Sequence, residues 1–232
     1  MTVNGHVLDS PALNVEPGDH VTVDGRPLPA PAPLKLWRYH KPKGRVTTHR
    51  DPQGRPTVFE ALGPEMPRVL SVGRLDINTE GLLLLTTDGG LSRHMELPST
   101  GWLRRYRVRA KGRVTQETLD KLQSGIKIKG IRYGPIEARI DRVQGANSWL
   151  TMGLREGKNR EIKHVLEHLG LSVNRLIRIS YGPFPLGELK PGQYVEVKRR
   201  VIAEQLGTKT AEELGISKSH KRGGPKRPTP PA

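Results

Sequence analysis

Residues 35–206 carry the pattern of an α+β domain, a mixed, largely antiparallel sheet with a few flanking helices. Three observations predict it. Residues 105–111 alternate Arg105, Arg107, Arg109 and Lys111 with Tyr106, Val108 and Ala110. That period of two describes a strand with one cationic and one apolar face. Residues 82–87 run Leu-Leu-Leu-Leu-Thr-Thr into Asp88-Gly89, a buried strand closed by a turn. Ile162, Val165, Leu166 and Leu169 fall at i, i+3, i+4 and i+7, the apolar stripe of a helix that starts near Asn159 and stops at Gly170.

The remaining elements follow in order. Residues 1–26 read as short strands and turns, with Val-Thr-Val at 21–23 and Asp24-Gly25 as a turn signal. Residues 27–34, with Pro27, Pro29, Pro31 and Pro33, read as an extended linker. Asp51 before proline and Asp88 before glycine read as turn formers. A helix follows Thr115 and stops near Gly125. Strands are expected over 126–143, 148–154, 175–181 and 193–199. From Gly207 the composition decays, and 207–232 reads as a basic, disordered tail. Its last stretch, 217–232, holds five Lys or Arg, four prolines and no acid.

A formal net charge of +16 on 232 residues points to a polyanionic partner, of which nucleic acid is the commonest. An anionic membrane would call for a basic amphipathic helix with bulky apolar anchors, and none is visible. Disulfides, zinc ribbons and thiol nucleophiles are excluded by the absence of cysteine, which fits a reducing cytoplasm. No apolar run approaches the roughly 20 residues needed to span a bilayer.

Three segments carry candidate chemistry. The first is His40-Lys41-Pro42-Lys43-Gly44-Arg45-Val46-Thr47-Thr48. The second is Gly73-Arg74-Leu75-Asp76-Ile77-Asn78-Thr79-Glu80-Gly81. The third is Leu154-Arg155-Glu156-Gly157-Lys158-Asn159-Arg160-Glu161-Ile162-Lys163. Asp76 stands just before a core strand, so its carboxylate is held on a rigid element. A helix start rich in Lys158, Arg160 and Lys163 makes an anion site, for phosphate or for a carboxylate. Physics alone takes this to an RNA-binding protein and leaves catalysis open.

The 73–89 run, Gly-Arg-Leu-Asp-Ile-Asn-Thr-Glu-Gly-Leu-Leu-Leu-Leu-Thr-Thr-Asp-Gly, resembles the signature of the bacterial ribosomal pseudouridine synthases of the small-subunit synthase A and large-subunit synthase B group. The Lys-Pro-Lys-Gly and Glu-Gly-Lys-Asn-Arg-Glu-Ile-Lys segments are similar to that family too, in the same order, and the likeness covers about 34–200. Arg175-Leu176-Ile177-Arg178-Ile179-Ser180-Tyr181-Gly182 looks more like the large-subunit branch. The resemblance implies the family's catalytic fold and a uridine-to-pseudouridine isomerisation without cofactor or metal. Its target would be ribosomal RNA, most simply 23S rRNA or an assembly intermediate, with 16S rRNA as the alternative. It implies a cytoplasmic, monomeric enzyme. Carried over, Asp76 is the nucleophile, with attack at C1′ or at C6 left open. Tyr106 would stack on the uracil and is the candidate to take the late proton. Lys163 would pair with Asp76 and keep it ionised. Arg74 would fill the space left by the flipped base, and Lys41, Lys43, Arg45, Arg105, Arg107, Lys158 and Arg160 would bind RNA.

Two further readings accompany this one. A non-catalytic RNA-binding or ribosome-assembly protein would have no reason to keep Asp76. His164-Val165-Leu166-Glu167-His168 spells an inverted zinc-protease motif, but the spelling is cheap and the helix is crowded with cations that oppose Zn²⁺. At the other end, 1–26 resembles the closing strands of a small RNA-binding module similar to that of ribosomal protein S4. It sets Asp9, Glu16, Asp19 and Asp24 against Arg26 and is expected to leave Val3, Val7, Val21 and Val23 uncovered. The module's two leading helices are expected upstream of Met1, in about 20–30 further codons; the alternative is that the protein has lost the module and relies on its basic domain and tail.

Overall fold

The computed structural model describes residues 1–216 except Pro11, Pro17, Ala30 and Pro31. The tail at 217–232, expected to be disordered, lies outside the described residues. The chain divides into two units, Met1–Pro33 and Leu34 onward.

In the first unit, β1 (Thr2–Val3), β2 (His6–Val7), β3 (Val21–Val23) and β4 (Arg26–Pro27) form a sheet in the order β2-β1-β3-β4. Its hairpins close over Asn4-Gly5 and Asp24-Gly25, where all four residues have positive φ. These are the mirror-image turns whose twist matches that of the strands, and Asn-Gly and Asp-Gly favour them. Val3, expected to lie uncovered, is buried, whereas Val7 is exposed.

The second unit is built on one sheet in the order β11-β12-β8-β13-β7-β5-β15. It opens with β5 (Leu36–Lys41), β6 (Leu70–Val72) and β7 (Thr79–Thr86). The leucine run lies in β7, and both sheet faces are covered there. Leu82 and Leu84 join one hydrophobic cluster, Leu83 and Leu85 another, which is why the run is continuous rather than alternating. Asp88 then caps α1 (Gly89–Glu96), its carboxylate accepting from the Leu91 amide at 2.7 Å. Strand β8 (Arg104–Lys111) buries Val108 and Ala110 and exposes Arg105, Arg107, Arg109 and Lys111.

Thr115 caps α2 (Gln116–Asp120). The single stretch expected over 126–143 folds as a hairpin, β9 (Ile126–Ile128) with β10 (Ile131–Tyr133), followed by β11 (Ile136–Gln144). Next come β12 (Asn147–Leu154), α3 (Glu161–His168), β13 (Ser172–Tyr181), β14 (Phe184–Pro185) and β15 (Tyr194–Glu196). Helix α3 starts later than its stripe suggests because Arg160 is left-handed, at φ 50°. All pairings of the sheet are antiparallel except that of β13 with β7.

The end of the domain differs from expectation. Arg199 already begins α4 (Arg199–Leu206), and α5 (Thr208–Glu213) occupies the start of the expected tail. Ala211 and Ile216 are buried in the same cluster as Leu36, Leu82 and Leu84, so the core extends through Ile216. None of the helices among the described residues is long and apolar enough to cross a membrane.

At the β13–β7 junction, Gly81 has φ +103°, and a Cβ there would sit 2.3 Å from the Arg178 carbonyl oxygen. Gly81→Ala should therefore cost more than about 2 kcal/mol, because both the backbone and the neighbouring strand must move. Urea unfolding of the two proteins checks this, and matching midpoints would refute the close approach.

Candidate active site

Asp76 sits on the loop that leads from β6 into β7. That loop is held from below by the first motif segment. The Thr47 hydroxyl donates to the Leu75 carbonyl at 2.9 Å, and the Gly44 amide donates to the Ile77 carbonyl at 2.8 Å. Lys41 completes the clamp. Its ammonium donates to the carbonyls of Thr79 at 2.9 Å, Pro42 at 3.1 Å and Ile77 at 3.3 Å. Lys41 is fully buried, so the expected RNA contact is corrected: it is spent on the Asp76 loop. Burial pulls its ammonium down to about 8, against the opposing pull of Asp76 and Glu80.

The loop presents Asp76 to a cleft of about 770 Å³. Lys163, one turn into α3, donates to the Asp76 carboxylate at 3.3 Å, and Arg160 Nε stands 3.9 Å from the same oxygen. Arg160, the left-handed residue just before α3, and Lys163 in its first turn both bring a cation to Asp76. Tyr106 lines this cleft, half-buried where two of the unit's hydrophobic clusters meet. The aromatic face, carboxylate and cation named from the sequence thus come together from three separate segments.

The helix start also holds a pair of carboxyls. Glu161 is almost fully buried, and one of its oxygens accepts from the Lys158 amide at 3.1 Å while the other has no hydrogen-bond partner among the described residues. Burial, and then the charge of Glu156, push its carboxyl up to about 7. Burial also pushes Glu156 up, but the Gly134 amide at 2.6 Å and the Lys158 ammonium at 2.6 Å bring it net below the ordinary carboxylate range.

The other candidate residues divide by sheet face. Arg74, Lys158 and Arg160 line the cleft, and Lys43 is exposed on the first segment. Lys158 is partly engaged, donating to the Arg132 carbonyl as well as to Glu156. Arg45 is half-buried and donates to the Thr57 carbonyl at 3.2 Å. Arg105 and Arg107 alternate with Tyr106 and project from the opposite face of β8, where Arg107 packs over the Trp149 ring. They are not brought to the cleft. Of the cleft arginines that escaped the sequence reading, two are buried. Arg104 is buried and donates to the Tyr181 hydroxyl at 2.9 Å and the Arg155 carbonyl at 2.7 Å. Arg178 is buried and donates through Nε to the Leu82 carbonyl at 2.7 Å. The available signal was parity, since Arg104 shares its face with Tyr106 and Val108. His164 Nδ1 lies 3.1 Å from the Tyr133 hydroxyl.

Similar proteins bear on this arrangement. A family model described as RNA pseudouridylate synthase matches residues 35–168. An uncharacterized RNA pseudouridine synthase of Rickettsia prowazekii is 45% identical over 88% of this chain and 86% of its own length. The Pseudomonas aeruginosa protein named ribosomal large subunit pseudouridine synthase B is 40% identical, covering 94% of this chain and 58% of its own length. A crystal structure of a pseudouridylate synthase superposes with a TM-score of 0.68 at 25% identity, over 89% of this chain and 88% of that one.

Two predictions follow from the loop clamp and the carboxyl pair. Lys41→Met leaves three carbonyls unanswered, that of Thr79 in a buried bond, and should lower turnover on the order of 10²-fold through misplacement of Asp76. RNA affinity, read by filter binding, should stay near wild type; a large affinity loss with normal turnover would restore Lys41 as an RNA contact. Glu161 titrates higher in the folded state than unfolded. Its contribution is complete below the unfolded value and is lost as pH rises through about 7. Glu161→Gln should accordingly lose less thermal stability than wild type between pH 5 and pH 8, as scanning calorimetry would show. Parallel curves would place the Glu161 carboxyl in an ordinary environment.

Proposed function

The chain belongs to the RNA pseudouridine synthase family, and on that premise we propose that it isomerises a uridine in large-subunit (23S) ribosomal RNA with Asp76 as nucleophile. The observation that carries this reading is the Asp76–Lys163 pair at 3.3 Å, with Asp76 and Tyr106 lining one cleft. The large-subunit target is supported by the 40% identity to the Pseudomonas protein named for that subunit.

In this reading the target uridine leaves its stack and enters the cleft, which costs least where the base is looped or bulged. Arg74, exposed at the cleft, takes the place the base vacates. Asp76 attacks C1′ or C6, the glycosidic C1′–N1 bond breaks, and the base turns so that C5 bonds to C1′; the bond to Asp76 breaks either as C5 displaces it from C1′ or by its elimination from C6 as the C5 proton leaves. Lys163 gives the carboxylate a counter-charge and fixes its direction. Tyr106 supplies a stacking surface for the uracil, and its hydroxyl is the group placed to receive the C5 proton. Lys158 and Arg160 hold the RNA backbone at the mouth of the cleft. Such a substrate places the enzyme in the cytoplasm, where ribosomal subunits are assembled.

Asp76→Asn tests the assignment, because the amide fills the same space but cannot attack carbon. The purified variant should bind the RNA as wild type does and form no pseudouridine; sustained turnover would defeat the nucleophile. Chemical mapping of rRNA from a strain lacking the gene should show one pseudouridine missing from 23S rRNA, and a loss confined to 16S rRNA would move the target to the small subunit.

A further inference from the structure

Arg178 has no assigned part in the scheme above, and its surroundings leave it incomplete. It is 3% exposed. Its Nε is satisfied by the Leu82 carbonyl, yet neither terminal nitrogen has a hydrogen-bond partner among the described residues, and Nη2 is fully buried. No carboxylate pairs with it there either. Its nearest aromatic support is the Tyr181 ring, whose centroid lies 5.1 Å from Cζ. A ring face attracts a cation but does not answer its donors. Burying a guanidinium with open donors is costly, so the acceptor that completes it arrives with the substrate.

Position says which part of the substrate that is. Arg178 is the direct cross-strand partner of Tyr106 on β8 and of Gly81 on β7, the strand that continues from the Asp76 loop. Direct partners on neighbouring strands share a face, and Arg178, Tyr106 and Asp76 all line the cleft. Arg74 and Arg160 are exposed at the same cleft and suit backbone phosphates. Arg178 is at the floor, where the part of a flipped nucleotide that travels deepest comes to rest. That part is the base, and uracil offers two carbonyl acceptors.

The chemistry gives that contact a purpose. When the C1′–N1 bond breaks, its electron pair stays with the uracil and is shared between N1 and the carbonyl oxygens. If Asp76 adds at C6 instead, the pair of the C5–C6 double bond moves onto O4. In both courses a carbonyl oxygen of the base gains negative charge, and that pair is spent when C5 bonds to C1′; loss of the C5 proton then restores the C5–C6 double bond, with Asp76 leaving C6 if it had added there, and is balanced by a proton taken up at N1. A preorganised donor aimed at charge that exists only during reaction lowers the barrier. Resting on the reading of the chain as a uridine isomerase, we propose that Arg178 is a further catalytic residue whose terminal nitrogens bind a uracil carbonyl and stabilise the base as it becomes anionic.

Steady-state turnover of wild type, Arg178→Gln and Arg178→Lys on one rRNA fragment tests this. Arg178→Gln should lower kcat by about 10²–10³-fold, the loss typical of one such donor, with KM little changed, and Arg178→Lys should recover part of it by keeping the charge. Full kcat in Arg178→Gln overturns the proposal alone, whether or not its melting temperature falls. A raised KM at unchanged kcat overturns it too and marks Arg178 as a phosphate contact. A wild type that forms no pseudouridine overturns the parent reading and the proposal together. Should both variants fail to fold, binding by the wild type decides. RNA carrying 6-hydroxyuracil at the target, an anionic base at neutral pH, should bind at least about tenfold tighter than the uridine RNA, a factor worth 1.4 kcal/mol. Equal affinities would overturn the assignment.

Discussion

The site depends on one buried ammonium. A loop that turns from β6 into β7 points the carbonyls of Ile77 and Thr79 inward. Lys41 answers both, together with that of its own neighbour Pro42, with 2.9–3.3 Å bonds. Its own charge is destabilised by burial, which shows in the depressed ammonium pKa, and Asp76 and Glu80 offset part of that. The result is a carboxylate whose position is set by backbone rather than by its own flexible side chain. Groups meant to react at one carbon gain most from that kind of fixing.

Around this anchor the sheet separates two uses of positive charge. On one face of β8, Arg105, Arg107, Arg109 and Lys111 are exposed and suit long-range attraction of a polyanion. On the other face, Arg104 and Arg178 are buried beside the Tyr181 ring, with Cζ atoms 4.7 Å and 5.1 Å from its centroid. Charge on the first face sets how fast and how salt-sensitively RNA arrives. Charge on the second acts in a confined, poorly hydrated space, where each donor counts for more. The chain carries +16 overall, yet few of those cations touch the chemistry.

Much of this was legible in the residues. Strand β8 shows itself through alternation, β7 through its leucines, and α3 through its stripe, because each pattern follows from local burial. The Asp76–Lys163 pair, 87 positions apart, was reachable only through resemblance, since no local rule joins them. Lys41 was misread because a lysine in a basic Pro-Gly segment looks like a phosphate contact. Two of the three carbonyls that consume it belong to residues 77 and 79, out of reach of any window around position 41. Arg178 hid for a different reason. Alternation puts it on the face of Leu176, but nothing in the residues of β13 says which of its faces meets the cleft, and the register shift just after Arg178 breaks the alternation before Tyr181. Helix α5 was missed because Thr-Lys-Thr-Ala-Glu-Glu is polar on all but one position, and its burial rests on Ala211 and the following Ile216.

The chain's route through the sheet has a consequence for the ribosome that makes it. Synthesis first lays down β5, β6 and β7, then departs to build β8 through β13, and returns with β15, α4 and α5. The cluster around Leu36, Val72, Leu82 and Leu84 is therefore sealed last, by Ile202, Ala203, Ala211 and Ile216. Until those residues leave the exit tunnel, a nascent chain displays an open leucine face at its oldest end. Loop closure over that distance is slow to be rewarded, and exposed apolar surface attracts chaperones and neighbours alike. A ribosome that stalls before α4 would release an aggregation-prone fragment in which Asp76, Tyr106 and Lys163 are all present but the cluster of Leu36, Leu82 and Leu84 is still uncapped.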